Sequence, residues 1–320
     1  MAPHDNLPTS LNQPWLVAAW PGMGHVGILA ATFLLEQLGA ERIGEVQTES
    51  YYELNEVSVE QGLMLPPRRP RGVLYAWRDP EQRRDLVIFL SEAQPKTRGY
   101  ELCEELVRVA KELGVTRITT FAAMASPLDP SAPSKVHTLA TDAATLSRFT
   151  GQGAIRLEKG EISGLNGVLL VAGQAEGLPG SCLLGEFPYF APSLPQPKAA
   201  AAILRVFCPA LGLEVDLTAL DKQAEFVEGR LTELLGELKS SAKAHLVAKP
   251  EDAAKPTPEP VATEPQEPSV DPAVIAHVEA KFAETEADRS KALELKALLD
   301  EHGLFKDYED RFLDLFTRGE

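Results

Sequence analysis

Three glycines, Gly22, Gly24 and Gly27, stand in the stretch "WPGMGHVG" with the spacing G-x-G-x-x-G. They follow the apolar run "WLVAA" and lead into "ILAATFLLEQLG", where a buried strand should pass into a helix. A dinucleotide-binding turn uses this spacing for a tight bend, close backbone approach to a pyrophosphate and helix–strand packing, and adds an acid for the ribose about 20 residues on. Glu49, 22 residues after Gly27, stands where that acid belongs. The same glycines equally serve a sharp strand-to-helix turn that holds no ligand. The continuation favours the turn. The second strand runs on into short strand-like pieces and a proline-rich bend, where a mononucleotide-binding half would supply another helix.

A second set of candidates is acidic: Glu49, Glu92 beside Gln94 in "SEAQP", Glu176 in "QAEGLPG" and Glu186 in "LLGEFPYF". Open parallel sheets bind ligands at the carboxyl ends of their strands, where Glu49, Glu92 and Glu186 are expected. Gathered there, such carboxylates would hold Mg²⁺ or act as acid and base; dispersed, they cap helices or face water. No nucleophile–base set stands out. His25 and His137 are the only histidines between residues 5 and 240, and no serine sits in a nucleophile elbow. Cys103, Cys182 and Cys208 lack metal-ligand spacing and read as reduced core or surface thiols. The basic turn Arg68-Arg69-Pro70-Arg71 is short and lacks the interleaved aromatics of a nucleic-acid surface. No catalytic residue, metal or cofactor is therefore assigned, and the glycine and acidic positions remain candidates for a ligand.

The elements that must position these residues follow from periodicity. Residues 15–20, 42–49, 85–90, 116–124, 136–141 and 180–186 read as strands, and 56–77 as short strands and turns broken by Pro66, Pro67 and Pro70. Helices are expected over 24–39, 98–113, 142–150 with Asp142 as cap, 164–177, 197–211 and 217–240. This alternation predicts an α/β domain with a largely parallel sheet covered on both faces.

The domain is expected to span residues 1–246. Residues 247–272 are rich in proline, glutamate and alanine and predict a disordered, semi-extended linker. Beyond it, residues 273–320 predict a helical tail. Val274, Val278 and Phe282 share a face, and a second short helix sets Phe305, Tyr308, Phe312, Leu315 and Phe316 on one side as a protein-interaction surface. Residues 241–320 carry 18 acidic and 10 basic side chains, half of the chain's net charge of −16. That charge disfavours nucleic acid and anionic membranes. With 44% hydrophobic residues, no membrane-length apolar run and no signal-peptide pattern, a cytoplasmic protein is expected.

The segments "PGMGHVGILAATFLLEQLGAERIGEV", "DLVIFLSEAQP", "EISGLNGVLLVAGQAEGLPGSCLLGEFPYF" and "PKAAAAILRVFCPALGLEVDLTAL" resemble the proteasome assembly chaperone family, second-subunit type, in its archaeal and bacterial branch. The likeness covers roughly residues 12–240, and "DRSKALELKALLDEHGLFKDYEDRFLDLF" resembles the helical tail of some prokaryotic members. It implies a single nucleoside-phosphorylase-like α/β domain, a homo-oligomer, and a non-catalytic, chaperone-like role in binding protein surfaces, with proteasome subunits as candidate partners. Prokaryotic relatives have also been labelled ATP-grasp-like or carboxylate–amine ligases, which keeps a nucleotide- or carboxylate-binding enzyme as the alternative. The resemblance moves the glycine motif toward a structural turn. Some family members end in hydrophobic–Tyr–any residue, whereas this sequence ends Arg318-Gly319-Glu320, so docking through such a tail is not expected.

Overall fold

A computed structural model describes residues 10–52, 57–65, 68–160, 162–247 and 272–287, with scattered positions from 291 to 308. The chain divides into two units, Met1–Thr232 and Glu233–Glu320. The first opens with β1 (Trp15–Ala19), α1 (Val26–Leu38), β2 (Glu41–Val46), the hairpin β3 (Val59–Glu60) and β4 (Leu63–Met64), β5 (Gly72–Trp77) and β6 (Leu86–Ser91). It continues with α2 (Gly99–Glu112), β7 (Arg117–Ser126), β8 (Val136–Ala140), α3 (Ala143–Thr150), β9 (Ile155–Arg156), α4 (Leu165–Ala175), β10 (Gly180–Pro188) and α5 (Pro197–Leu211). The helix α6 (Thr218–Val247) follows, and α7 (Pro272–Ala287) belongs to the second unit.

Eight strands form one sheet in the order β2-β5-β6-β1-β7-β10-β8-β9. The central β6, β1, β7 and β10 are mutually parallel. A hairpin return makes β5 antiparallel to β6, and β8, separated from β10 in the chain by α3, β9 and α4, pairs antiparallel with it. A parallel strand covered on both faces must be apolar on both, and "WLVAA" satisfies this along its whole length. Trp15, Val17 and Ala19 enter a core beneath α1 and α5, while Leu16 and Ala18 enter the opposite core beneath α2 and α4. In β6, Leu86 and Ile88 alternate with Val87 and Phe89 between the same two cores. Each of the buried Val, Leu, Ile and Phe side chains contributes about 1.5–3 kcal/mol relative to exposure.

The expected α/β layering holds, with local differences. The strand expected over 42–49 stops at Val46, and Glu49 opens a short 3-10 turn, Glu49–Tyr51. The strand β9, two residues long and exposed, carries no periodic signal. Asp142 caps α3 as its type predicts, accepting the Thr145 N–H at 2.9 Å. The helix α6 runs to Val247 rather than 240, and the proposed linker lies outside the described residues from 248 to 271.

In the second unit Val278 and Phe282 of α7 are buried with Leu295, Leu299 and Leu304. Tyr308 is half-buried and stacks on Phe282 with ring centroids 5.6 Å apart. Phe305, Phe312, Leu315 and Phe316 lie outside the described residues.

Two carboxylates organise the β5–β6 connection. Asp85 accepts the Asn12 and Asp79 N–H groups at 2.7 and 2.9 Å. Asp79 accepts Arg83 Nε at 2.9 Å and the Glu81 and Arg83 amides at 3.1 Å. The hydrogen bond from Arg83 leads in drawing the Asp79 carboxyl from 3.8 to about 2, with the backbone amides helping and burial opposing. A folded value below the unfolded one stabilises above the unfolded pKa, and the effect is lost as pH falls through the folded value. Asp79→Asn is expected to cost about 1–2 kcal/mol at pH 7, solvent around the half-exposed Arg83 reducing the full linkage. Urea unfolding of both proteins at pH 7 and near pH 2 checks this; a difference that does not shrink in acid would refute the role of the ion.

Candidate functional site

The carboxyl end of the sheet is where the sequence sets its candidates. The switch point lies between β1 and β6, because α1 covers one face and α2 the other. Gly22 is extended there, Gly24 has φ +58°, and His25, also left-handed at φ 52°, caps α1 without a side-chain bond. The Gly24 N–H donates to the Pro192 carbonyl at 2.6 Å, and its carbonyl accepts the Gln196 N–H at 2.8 Å. A Cβ on Gly24 would stand 2.5 Å from Gln196 Cγ, and one on Gly27 only 2.3 Å from the Phe121 carbonyl oxygen. The bend is thus clasped by the segment after β10, and α1 starts in backbone contact with β7.

Gln94 fills the crevice beside this bend. Its Nε2 donates to the Pro21 carbonyl at 2.7 Å, and its Oε1 accepts the Leu165 N–H at 3.1 Å. One amide therefore joins the ends of β1 and β6 to the first turn of α4. The first free N–H of α4, which in a nucleotide site faces a phosphate, is here taken by a side chain of the same chain. Sequence reading places Gln94 at the crevice without revealing this bridging role. A carboxamide can be donor and acceptor at once, a signal present in its residue type but not in its spacing.

The carboxylates of Glu92, Glu176 and Glu186 do not converge. Glu92 follows β6 and accepts the Arg71 N–H at 3.0 Å, with the Arg71 and Arg68 guanidinium groups on its Oε1. Burial works to raise this carboxyl, but the Arg71 amide and the two guanidinium groups outweigh it and hold it below its ordinary value. Glu186 lies on β10, three strand spacings from β6, about 14 Å. Its Oε2 is buried without a hydrogen-bond partner, as is Nε2 of His137, which pairs with Leu184 two residues earlier on the same face. Glu49 sits beyond β2 at the sheet's edge. Glu176 caps the far end of α4, at the amino ends of the strands, and pairs with Lys111 at 2.6 Å. An acid cluster that includes Glu176 is not what this geometry builds. Among the described residues, no group of three or more His, Cys, Asp or Glu side chains is placed to hold a metal ion.

Large apolar side chains face outward instead. Met23 in the bend, Tyr189 and Leu194 after β10, and Phe226 on α6 are exposed. A groove of about 360 Å³ runs between α1 and α6, lined by Leu29, Pro195, Pro197, Phe226 and Val227 with Lys222 and Gln223. Residue type alone does not separate these side chains from core ones, so the sequence could not single them out.

The fold and its closed crevice define a mixed α/β protein with a mostly parallel sheet between two helical layers. The PAC2 family model matches residues 16–235, and the chain belongs to the PAC2 family. The family resemblance read from the sequence holds, since homologues of proteasome assembly chaperones share the architecture. PbaB of Pyrococcus furiosus, described as an archaeal proteasome activator, is 25% identical with a TM-score of 0.62, covering 73% of this chain and 97% of that one. Rv2125 of Mycobacterium tuberculosis, described as a proteasome-assembly chaperone homologue, is 26% identical with a TM-score of 0.59, covering 69% and 94%. An uncharacterised protein of Methanocaldococcus jannaschii is 28% identical over 222 residues, 68% of this chain and 81% of that one.

Two outcomes follow from this geometry. Gln94→Leu leaves the Pro21 carbonyl and Leu165 N–H without partners and is expected to lower unfolding free energy by about 1–3 kcal/mol, measured by chemical denaturation; an unchanged midpoint and slope would contradict the bridge. Burial pushes the Cys103, Cys182 and Cys208 thiols up to about 12. All three should resist a thiol reagent at pH 8 in the native protein and react once it is unfolded, and rapid native labelling of any of them would show the burial to be wrong.

Proposed function

We propose that this protein acts by binding protein surfaces, as a non-catalytic, assembly-chaperone-like member of its family working as a homo-oligomer in the cytoplasm. One observation carries the reading. The crevice that in related α/β architectures receives a ligand is occupied by Gln94 and clasped by the segment 191–196, while apolar side chains nearby are turned to solvent. On this reading Gly22, Gly24 and Gly27 are structural, and exposed apolar patches of this kind are covered by another protein. The descriptions of PbaB as a proteasome activator and of Rv2125 as an assembly-chaperone homologue support proteasome-like subunits as the partner class. Phe305, Tyr308, Phe312, Leu315 and Phe316 belong to the tail as a second protein-binding element.

A second reading rests on the buried, unpartnered Oε2 of Glu186 and Nε2 of His137. Polar atoms so placed take water or the donors of a small ligand. An enzyme of the carboxylate–amine ligase kind would use them for substrate.

Mixing the full chain with recombinant proteasome α subunits and following mass by light scattering separates the two. The expected result is a complex, with faster appearance of assembled rings. No association, together with a saturable rise in melting temperature with ATP–Mg²⁺ that Glu186→Gln abolishes, would replace the first reading by the second.

A further inference from the structure

Three arginines converge on one buried indole at the amino ends of the central strands. Trp15 opens β1, and its Cα partners are Leu86, which opens β6, and Arg117, which opens β7. Arg84 stands two residues before β6, and Arg148 lies on α3. The guanidinium carbons of Arg84, Arg148 and Arg117 lie 4.8, 5.4 and 5.6 Å from the centre of the Trp15 ring. Trp15 is 1% exposed. Arg148 is exposed, whereas Arg84 and Arg117 are half-buried, so solvent reaches the cluster beside α3.

A guanidinium on an indole face is favourable, but one ring does not neutralise three charges. Arg117 donates to Thr145 Oγ1 and pairs with Asp142 at 3.4 Å. Arg148 donates to the Ala210 carbonyl at 3.0 Å, near the end of α5. Arg84 is left over. Among the described residues its guanidinium has no hydrogen-bond acceptor and no carboxylate within 4 Å, and its Nε is buried without a partner. Burial and the charges of Arg148 and Arg117 hold this guanidinium below its ordinary pKa. The acids near it in sequence are committed elsewhere: Asp85 accepts the Asn12 and Asp79 amides, and Asp79 accepts Arg83. The chain has 47 acidic residues against 31 basic ones and readily pairs its arginines. Arg42, Arg83, Arg108 and Arg205 each have a carboxylate within 4 Å. At Trp15, three cations share the one carboxylate of Asp142, which leaves two positive charges uncompensated.

We propose that Arg84, Arg148 and Arg117 form a site for a phosphoryl dianion, either inorganic phosphate or the phosphate of a small monoester. A phosphate monoester carries about −1.5 to −2 charges at pH 7, which matches the excess. Its oxygens also accept the paired N–H donors of the arginine fork, and a lone carboxylate would supply only half the charge. Stacking on Trp15 holds the guanidinium groups in place beforehand, so that little side-chain freedom is lost on binding. The site stands at the end of the sheet opposite Gln94 and is independent of the protein-binding reading above.

Calorimetric titration of the full chain with sodium phosphate, and separately with glycerol phosphate, at constant ionic strength tests it. Saturable binding with a Kd below about 1 mM is expected for at least one of the two, and the tighter one tells the free ion from the ester. Arg84→Gln should weaken that binding at least about tenfold, and Arg84→Lys, which keeps the charge and loses the fork, should fall between. The gap in melting temperature between wild type and Arg84→Gln should widen as phosphate is added. Arg148→Gln, at an exposed position, repeats the affinity measurement should the Arg84 variant fail to fold. No saturable heat from either anion up to about 10 mM, or binding that both glutamine variants leave intact, would overturn the site. So would a gap in melting temperature that phosphate leaves unchanged, which would make Arg84 a clamp on Trp15 alone.

Discussion

The rest of the first unit depends on burying β1 on both of its faces. Five consecutive apolar residues with relative exposures of 1% or less leave no side from which solvent reaches the strand. A strand so placed needs a neighbour on each edge and a helix over each face, because its backbone and both rows of side chains must be satisfied at once. The neighbours are β6 and β7, and the helices α1 and α2 arrive from successive crossovers. The crevice at the carboxyl end is a by-product of that arrangement, since two adjacent strands hand their chains to opposite faces. What fills the crevice was a separate choice of sequence, and here the Gln94 amide lies in it, bonded to the Pro21 carbonyl and the Leu165 N–H.

Strand and helix placement was legible because burial imposes a pattern on many residues at once. β1, β6, α2 and β10 declare themselves through uninterrupted or alternating apolar positions. β9 does not, for a two-residue exposed strand carries no period. At the candidate site the position of Glu92 at a strand's end was readable, whereas its partners were not. Arg68 and Arg71 lie more than 20 residues earlier and reach it only because β5 returns beside β6. Glu176 misleads for a similar reason. A residue just before a strand resembles one just after it in local sequence, yet the two stand at opposite ends of the sheet.

The closed crevice and the exposed apolar surface are connected through the segment that follows β10. Its backbone clasps Gly24 from Pro192 and Gln196, and the same few residues present Leu194 outward and set Pro195 and Pro197 into the wall of the α1–α6 groove. Buried Gln196 donates to the Ala191 carbonyl at 3.1 Å and stiffens this segment from within. Closing the bend and shaping the groove are therefore one structural act. Any opening of the bend would therefore also move the groove wall.

The glycine spacing resembles a dinucleotide fingerprint because it answers a constraint that precedes any ligand. A helix that begins directly after a central strand must pass over the neighbouring strand, and at Gly27 the backbone of α1 comes so close to the Phe121 carbonyl that no Cβ fits. The third glycine of a nucleotide-binding turn serves the same close helix–strand packing. Gly24 answers a second constraint, a left-handed bend pressed against Gln196. Both requirements are met whether or not the amides of the turn remain free. The ligand-binding content of the motif resides in those amides, and here the Gly24 N–H is committed to Pro192 while the neighbouring α4 N–H is committed to Gln94. A spacing of glycines thus reports how closely a helix packs on a sheet. Whether it also reports a phosphate depends on residues such as Gln94 and Gln196, distant in sequence, that either leave the amides to a ligand or claim them.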